Sequence, residues 1–303
     1  MIIVKLMGGL GNQMFQIAFA KKLAIENNEE IVIDSSVYSK YKIRNFSLNN
    51  LIISDSINSI EEIDLTQIEL KYLRLTQKIY HIVQKIVKVL GLRSYLGEMI
   101  YKSLSRKGLY YNFTPYYYNH AKNSKKLKCL YGYFQSERYF SDIKQQVSEL
   151  LRVNKKPNVE EKIVLNELNS CNAVGVSIRI GDDYIKSSSW NVCTEEYYYK
   201  GMEYIYNKQP DVEFFIFSDD TQKVKNQYKF NYPVKYIEGF KDYESLRMLY
   251  TCKHFVISNS SFSWWGAFLS NSEHKIIIAP ERWNNNFEKK PDIYTDNMLL
   301  IRP

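Results

Sequence analysis

The hydrophobic pattern opens with a short apolar run, residues 2–6, that ends in Gly8-Gly9-Leu10-Gly11. Helical spacing follows: Met14, Ile17, Ala18 and Ile25 alternate with polar positions such as Lys21 and Lys22. A second apolar run, 31–33, stops at Asp34. This pattern predicts strand, glycine loop, helix, strand. Residues 79–90 read as an amphipathic helix with Gly91 as its stop. A tyrosine-rich stretch, 110–118, is interrupted by Pro115, and the polar stretch 154–162 reads as a linker.

The second half is more regular. Strands are predicted at 173–180, 212–217, 234–237, 254–258 and 275–279. Helices are predicted at 194–207, with Thr194 as N-cap, at 243–252 and at 261–269. Strands alternating with helices imply a parallel sheet covered on both faces. The fold class expected is α/β in two domains, 1–155 and 156–303.

Composition narrows the classes. Apolar residues make up 45% of 303, so the chain can bury a sizeable core and is not a disordered sequence. Lys and Arg total 41 against 33 Asp and Glu, a net charge of +8 that suits an anionic partner. The charge is not accompanied by a helix-turn-helix, RNP-like or zinc signature, so nucleic acid is not the expected partner. Cys129, Cys171, Cys193 and Cys252 form no CxxC pair. They read as reduced thiols of a cytoplasmic protein, since the first residues lack signal-peptide features. No apolar run is long enough to span a membrane.

Four segments carry candidate chemistry. Gly8–Gln13 places glycines between a strand and a helix, where the backbone can approach a phosphate at the helix N-terminus. The third glycine of a dinucleotide fingerprint is missing, but Asp34 lies near the spacing of a ribose contact, so a Rossmann oxidoreductase using NAD(P) or FAD is one alternative. Arg179 near a strand's C-terminal end can either fork onto phosphate or form a structural ion pair. Asp219 and Asp220 follow a strand and can accept sugar hydroxyls, while one of them can instead cap a helix. Asn259-Ser260-Ser261-Phe262 runs from a strand into a helix start, and Trp264 and Trp265 read as core packing or a sugar platform.

Taken together, the Gly-Gly-Leu-Gly-Asn-Gln-Met-Phe-Gln opening, Ser218-Asp219-Asp220 and Asn259–Ala267 resemble glycosyltransferase family 11, the bacterial α-1,2-fucosyltransferase family of O-antigen and related glycan synthesis. The resemblance runs in order to about Trp283. It implies a GT-B architecture, two Rossmann-like domains facing a cleft. The N-terminal domain would be on the acceptor side and the C-terminal domain would hold most of the nucleotide sugar, usually GDP-fucose. It also implies an inverting mechanism that needs no metal and no cofactor beyond that co-substrate. Carried over, Gly9, Gly11, Asn12 and Gln13 would approach the donor. Arg179 would neutralise the leaving diphosphate. Ser260, Ser261 and Phe262 would cradle phosphates beside Asn259, and Asp219 or Asp220 would hold the nucleotide. Asp182 is the candidate acid, base or sugar-orienting carboxylate.

The chain departs from the family pattern His-x-Arg-Arg-Gly-Asp-Tyr: Ser177 stands at the His and Ile180 at the second Arg. Ser245, beside Glu244, stands where an Asp would contact guanine. Either Glu244 or Asp242 substitutes, or the donor carries another base, as in a UDP- or dTDP-hexose. The acceptor expected is an oligosaccharide or lipid-linked glycan. The 79–90 helix, with Lys78, Lys85 and Lys88, can lie on an anionic inner-membrane surface or pack its apolar face into the core. The tyrosines of 110–118 can stack on acceptor sugars or pack the loop.

Overall fold

A computed structural model describes residues 1–39, 45–60, 66–89 and 93–303. The expected stop at Gly91 lies outside the described residues. The chain divides into two compact units, one of Met1–Asn49 with Ile53–Val147, the other of Asn50–Ile52 with Ser148–Pro303. Asn50–Ile52 joins the second unit because Leu51 bridges Val153, with Ile52 N donating to Arg152 O at 2.9 Å. The linker expected at 154–162 is cut short. Asn158 accepts from Glu161 N at 2.7 Å and so starts a helix at Val159.

In the first unit the chain runs β1 (Ile2–Lys5), α1 (Leu10–Asn27), β2 (Ile31–Asp34), β3 (Ile57–Ser59), α2 (Gln67–Val89), α3 (Arg93–Ser105), β4 (Leu109–Asn112) and β5 (Lys128–Gly132). The strands pair in parallel in the order β3-β2-β1-β5-β4. Helices cover such a sheet, so Ile2, Ile3 and Val4 are all buried and the strand is apolar without alternation. Phe19 of α1 packs on Tyr110, Phe134 and Tyr139, with ring centroids 4.6–5.7 Å apart. Tyr110, Tyr111 and Tyr118 are buried, which makes these three tyrosines of the 110–118 stretch packing residues.

The second unit begins with α4 (Lys144–Leu150), whose first residues fall in the first unit, and α5 (Val159–Ser170). It continues β6 (Asn172–Ile178), α6 (Asp182–Ile185), α7 (Glu195–Lys208), β7 (Val212–Ser218), α8 (Thr221–Gln227), β8 (Val234–Ile237) and α9 (Asp242–Thr251). β9 (His254–Val256), α10 (Ser261–Leu269), β10 (Ile277–Pro280) and β11 (Met298–Ile301) complete it. The parallel order is β11-β10-β9-β6-β7-β8. Thr194 caps α7 as its sequence position predicts, accepting from Tyr197 N. Trp264 and Trp265 are fully buried, and Trp264 Nε1 donates to Ile293 O at 2.7 Å. Arg247 of α9 forks onto Glu161 of α5 at 2.6 and 2.8 Å, pairing a buried carboxylate. Cys129 lies in the core of the first unit, Cys193 and Cys252 in that of the second. Burial raises the Cys129 thiol to about 12 and the Cys193 thiol to about 11. Among the described residues, no helix is long and apolar enough to cross a membrane.

Candidate active site

Strand order locates the ligand edge of each unit. In the second unit the chain moves outward from β6 through β7 to β8, then returns to β9 on the other side of β6. Such a switch point opens a crevice outside the C-terminal ends of the two diverging strands, here β6 and β9. Arg179 follows β6, and Asn259 and Ser260 follow β9. The register pairs Val176 with Val256, so continuing it brings Asn259 level with Arg179.

The loop after β6 is held by Asp219. Register pairs Ile178 with Ser218, which puts Asp219 beside the next residues of β6. Its Oδ1 accepts from Ile180 N at 2.8 Å and Gly181 N at 3.1 Å. Its Oδ2 lies 2.7 Å from Arg179 Nε, an ion pair without hydrogen-bond alignment, and Arg179 NH2 donates to Asp183 at 3.1 Å. A Cβ on Gly181 would sit 2.8 Å from Asp219 Oδ2, so glycine is what lets the carboxylate come so close. Arg179 keeps 25% side-chain exposure and rides over the Tyr184 ring. Arg179 is thus ion-paired, as one of its two sequence readings had it, and it remains partly open at the strand end. Ile180, at the family's second Arg, packs in the core, and Ser177 is buried.

Asp220 takes the capping role. It is the N-cap of α8 and accepts from Lys223 N at 3.0 Å. Asn259 is also committed. Its Oδ1 accepts from Tyr184 OH at 2.6 Å, and its Nδ2 donates to the carbonyls of Trp190 and Trp283, each at 2.9 Å. At 6% exposure it ties three loop segments together rather than presenting its amide outward. Ser260 caps α10 by accepting from Phe262 N at 3.3 Å. Ser261 and Phe262 sit half-buried on the first turn of that helix, whose N-terminal end carries partial positive charge.

Glu244 is more occupied than its sequence position suggests. One carboxylate oxygen accepts from Lys241 N at 2.8 Å and the other from Tyr243 OH at 3.2 Å, within the first turn of α9. Ser245 is half-buried beside it. Asp182, the candidate acid, base or sugar-orienting carboxylate, is the first residue of α6. It is exposed and held by Lys186 at 2.9 Å and by Lys223. Hydrogen bonds from Lys223 and then Lys186 lower its carboxyl to about 2. It stays ionised until pH falls through that value, so it is a poor proton acceptor near neutral pH. The Asp182→Asn variant is expected to keep kcat and its pH profile within about threefold of wild type. A loss of an ionisation from that profile would restore a proton-transfer role.

The first unit has its own switch point, between β1 and β5. Gly8 adopts φ +78°, which lets the chain turn sharply into α1. Tyr38 OH and Gln13 Nε2 both donate to Gly8 O, at 2.8 and 3.1 Å. Gln13 also donates to Asn45 O and accepts from Ser47 N, and it is fully buried. It pins the 45–47 segment to the turn, and both hydrogens of its amide are taken. Asn12 is half-buried, and its Oδ1 accepts from Gln135 Nε2 at 2.7 Å, while Gly9 is half-buried and Gly11 buried. Gln135 follows Phe134, a non-glycine residue at φ +51°. Sequence reading missed both, because β5 has no motif and its register beside β1 is not local.

A cavity of about 600 Å³ opens beyond β10 and β11, with Val192, Arg282, Trp283, Asn284, Phe287 and Arg302 among its walls. Trp283 joins it to the Asn259 hub. Among the described residues, no group of three or more His, Cys, Asp or Glu side chains is arranged to hold a metal ion.

The family described as Glycosyl transferase family 11 matches residues 1–302. The chain is similar to an Escherichia coli protein named alpha-1,2-colitosyltransferase, 29% identical over 96% of this chain and 97% of that one. It is also similar to the Escherichia coli O-antigen biosynthesis glycosyltransferase WbnK, at 27% identity over 94% and 96%. Among solved structures, fucosyltransferase NodZ from Bradyrhizobium covers 88% of this chain and 93% of its own, with TM-score 0.52 and 13% identity. That likeness shows the fold, an α/β, GT-B-like pair of Rossmann-like units. A dinucleotide oxidoreductase built on Asp34 is set aside by the match along the whole chain. Matched along residues 1–302 and similar over nearly its whole length to two named glycosyltransferases, the chain belongs to glycosyltransferase family 11 and is a glycosyltransferase.

Proposed function

We propose that the enzyme transfers a deoxyhexose, fucose or its dideoxy relative colitose, from a nucleoside diphosphate to a hydroxyl of a surface glycan, with inversion at the anomeric carbon. Colitose lacks a hydroxyl that fucose has, so the fucosyl reading from sequence and the colitosyl name of one relative fall within one sugar class, which supports the reading. The O-antigen name of the other relative supports a glycan acceptor.

The observation that carries the reading is Arg179, held by Asp219 at the β6–β9 switch point, level with the segment that starts α10. The acceptor oxygen attacks the anomeric carbon from the face opposite the diphosphate. The bond from that carbon to the phosphate oxygen breaks, the electron pair stays on the diphosphate, and the acceptor hydroxyl's proton passes to solvent water. Negative charge grows on the leaving oxygen. On this reading the Arg179 guanidinium and the positive end of α10 stabilise it. These two charges do the work of a cation, so the reaction is read as metal-independent. Asn12 with the Gly9 turn is a polar ligand edge of the first unit on the same reading.

Base recognition rests on fewer groups. Ser177 is buried, Ser245 is short, and Glu244 already serves Lys241 N and Tyr243 OH. Loss of polar base contacts relaxes discrimination. The test is transfer from GDP-, UDP- and dTDP-linked deoxyhexoses, with and without excess EDTA. The expected result is transfer from the GDP-linked donor, less than about tenfold preferred over UDP, and a rate that survives chelation. Glu244→Ala then assigns any GDP preference to Glu244 if it disappears. No transfer from any of these donors, or a rate lost to EDTA and restored by Mn²⁺, would overturn the reading.

A further inference from the structure

Helix α2 is anchored on one side and bare on another. Leu73, Tyr80 and Val87 are buried, and Leu73 and Tyr80 join the core with Leu109 and Tyr111. Thr76 Oγ1 meets Tyr111 OH at 2.9 Å, Gln77 accepts from Lys5 Nζ at 3.1 Å, and His81 Nε2 meets Tyr131 OH at 2.8 Å. These contacts fix the helix against rotation about its axis. What they leave outward is a second apolar line: Tyr72, Leu75, Ile79, Ile82, Ile86 and Val89. Ile79 is 50% exposed, Ile82 58% and Ile86 53%, which is far from core burial for isoleucine.

The spacing of that line is three, four, three, four, three. It is the seam of a helix that lies along a surface. The line runs most of the length of a helix of about 34 Å. Beside it, Lys71, Lys78 and Lys85 recur every seven residues, next to the seam. Arg74 and Lys88 add to them, and the only acidic residue of α2 is Glu69. Among the described residues none of these five cations makes an ion pair.

Charge selects the occupant. Two copies packed seam to seam in antiparallel would set the three seam lysines against their counterparts. In parallel, Lys71 would face Thr76 and Lys78 would face Val83 of the other copy, with no acidic partner. An anionic bilayer matches both features, taking the isoleucines below the headgroups and the lysines at the phosphates.

We propose that α2 is a peripheral docking face for anionic lipid. The exposed seam at 72, 75, 79, 82, 86 and 89 inserts, and the basic residues beside it read the surface charge. The chain then sits on a membrane without spanning it, with α2 parallel to the surface.

The experiment is flotation of the full chain with vesicles of phosphatidylcholine alone or with about one third phosphatidylglycerol. Expected is at least about tenfold more protein on the anionic vesicles, lost at high salt because exposed charges are screened. The double variant Ile79→Glu/Ile82→Glu should lose that binding, and Lys78→Gln/Lys85→Gln should lose the preference for anionic lipid. Both leave sugar transfer to a soluble acceptor unchanged, since α2 carries none of the residues placed at the switch points. Circular dichroism of the variants should match wild type, because the changed positions are solvent-facing. Equal binding of wild type to both vesicle types, or none, overturns the proposal. So does a concentration-dependent dimer that Ile79→Glu/Ile82→Glu dissolves, which would give the seam to a second copy. The vesicle readout involves no donor, so its failure is distinct from failure of the transferase reading.

Discussion

Arg179→Ala is expected to lower kcat by about 10² to 10³-fold while the protein stays folded. The charge on the leaving diphosphate appears only as the bond breaks, so a cation positioned before the event stabilises the transition state more than the bound donor. That loss corresponds to about 3–4 kcal/mol of barrier. Folding should be little affected. Asp219 keeps its two N–H donors from Ile180 and Gly181, and Arg179 is a partly exposed side chain whose ion pairs contribute modestly. Arg179→Lys should fall between wild type and alanine, since it returns the charge without the planar fork. Steady-state rates at saturating donor, with a melting curve for each variant, check the expectation. Near-normal turnover in a stably folded Arg179→Ala would remove Arg179 from the leaving-group role.

Asn259→Ala is expected to act through the fold. The side chain accepts from Tyr184 OH and donates to two carbonyls, all in a buried setting. Tyr184 OH in turn accepts from Val192 N and Cys193 N, and its hydrogen loses its acceptor once Asn259 is cut back. Unpaired buried polar groups cost about 1–3 kcal/mol each, so the three groups that lose Asn259 put the total at about 3 kcal/mol or more. For a chain of this size the midpoint of thermal unfolding should drop by on the order of 10 °C. Asn259→Asp should be no better, because it keeps the acceptor and turns the donor pair into an oxygen facing two carbonyls. A melting temperature within a degree of wild type in both variants would contradict the hub.

These two residues show what the sequence makes legible. Strand ends, helix starts and caps are local, and the pattern of the second half located β8 and α10 at their observed bounds and Thr194 as a cap. The segment around Arg179 was legible as a strand-end cation for the same reason. What was not legible is commitment. Asn259 and Gln13 are polar residues in glycine- or serine-rich turns, which is how ligand contacts also look. Only the tertiary fold shows that their amides are spent on Trp190, Trp283, Asn45 and Gly8. Asp219 and Asp220 are adjacent and alike in sequence, yet one staples the β6 loop and the other caps α8, because a strand end turns successive side chains apart. Gln135 was missed since its partner Asn12 is 123 residues away. The first unit was harder throughout, because β3, β4 and β5 are short strands without flanking motifs, and α2 carries two apolar lines that a single amphipathic reading merges.

The buried thiols turn the two-unit division into something that can be timed. A thiol reacts with an alkylating or disulfide reagent as thiolate, and burial holds Cys129 and Cys193 near 12 and 11, so both are unreactive while their own unit is closed. Cys129 reports on the sheet of Met1–Asn49 and Ile53–Val147, and Cys193 and Cys252 on that of the other unit. The chain thus carries a separate chemical clock in each half, and the order in which the clocks start is the order in which the halves open.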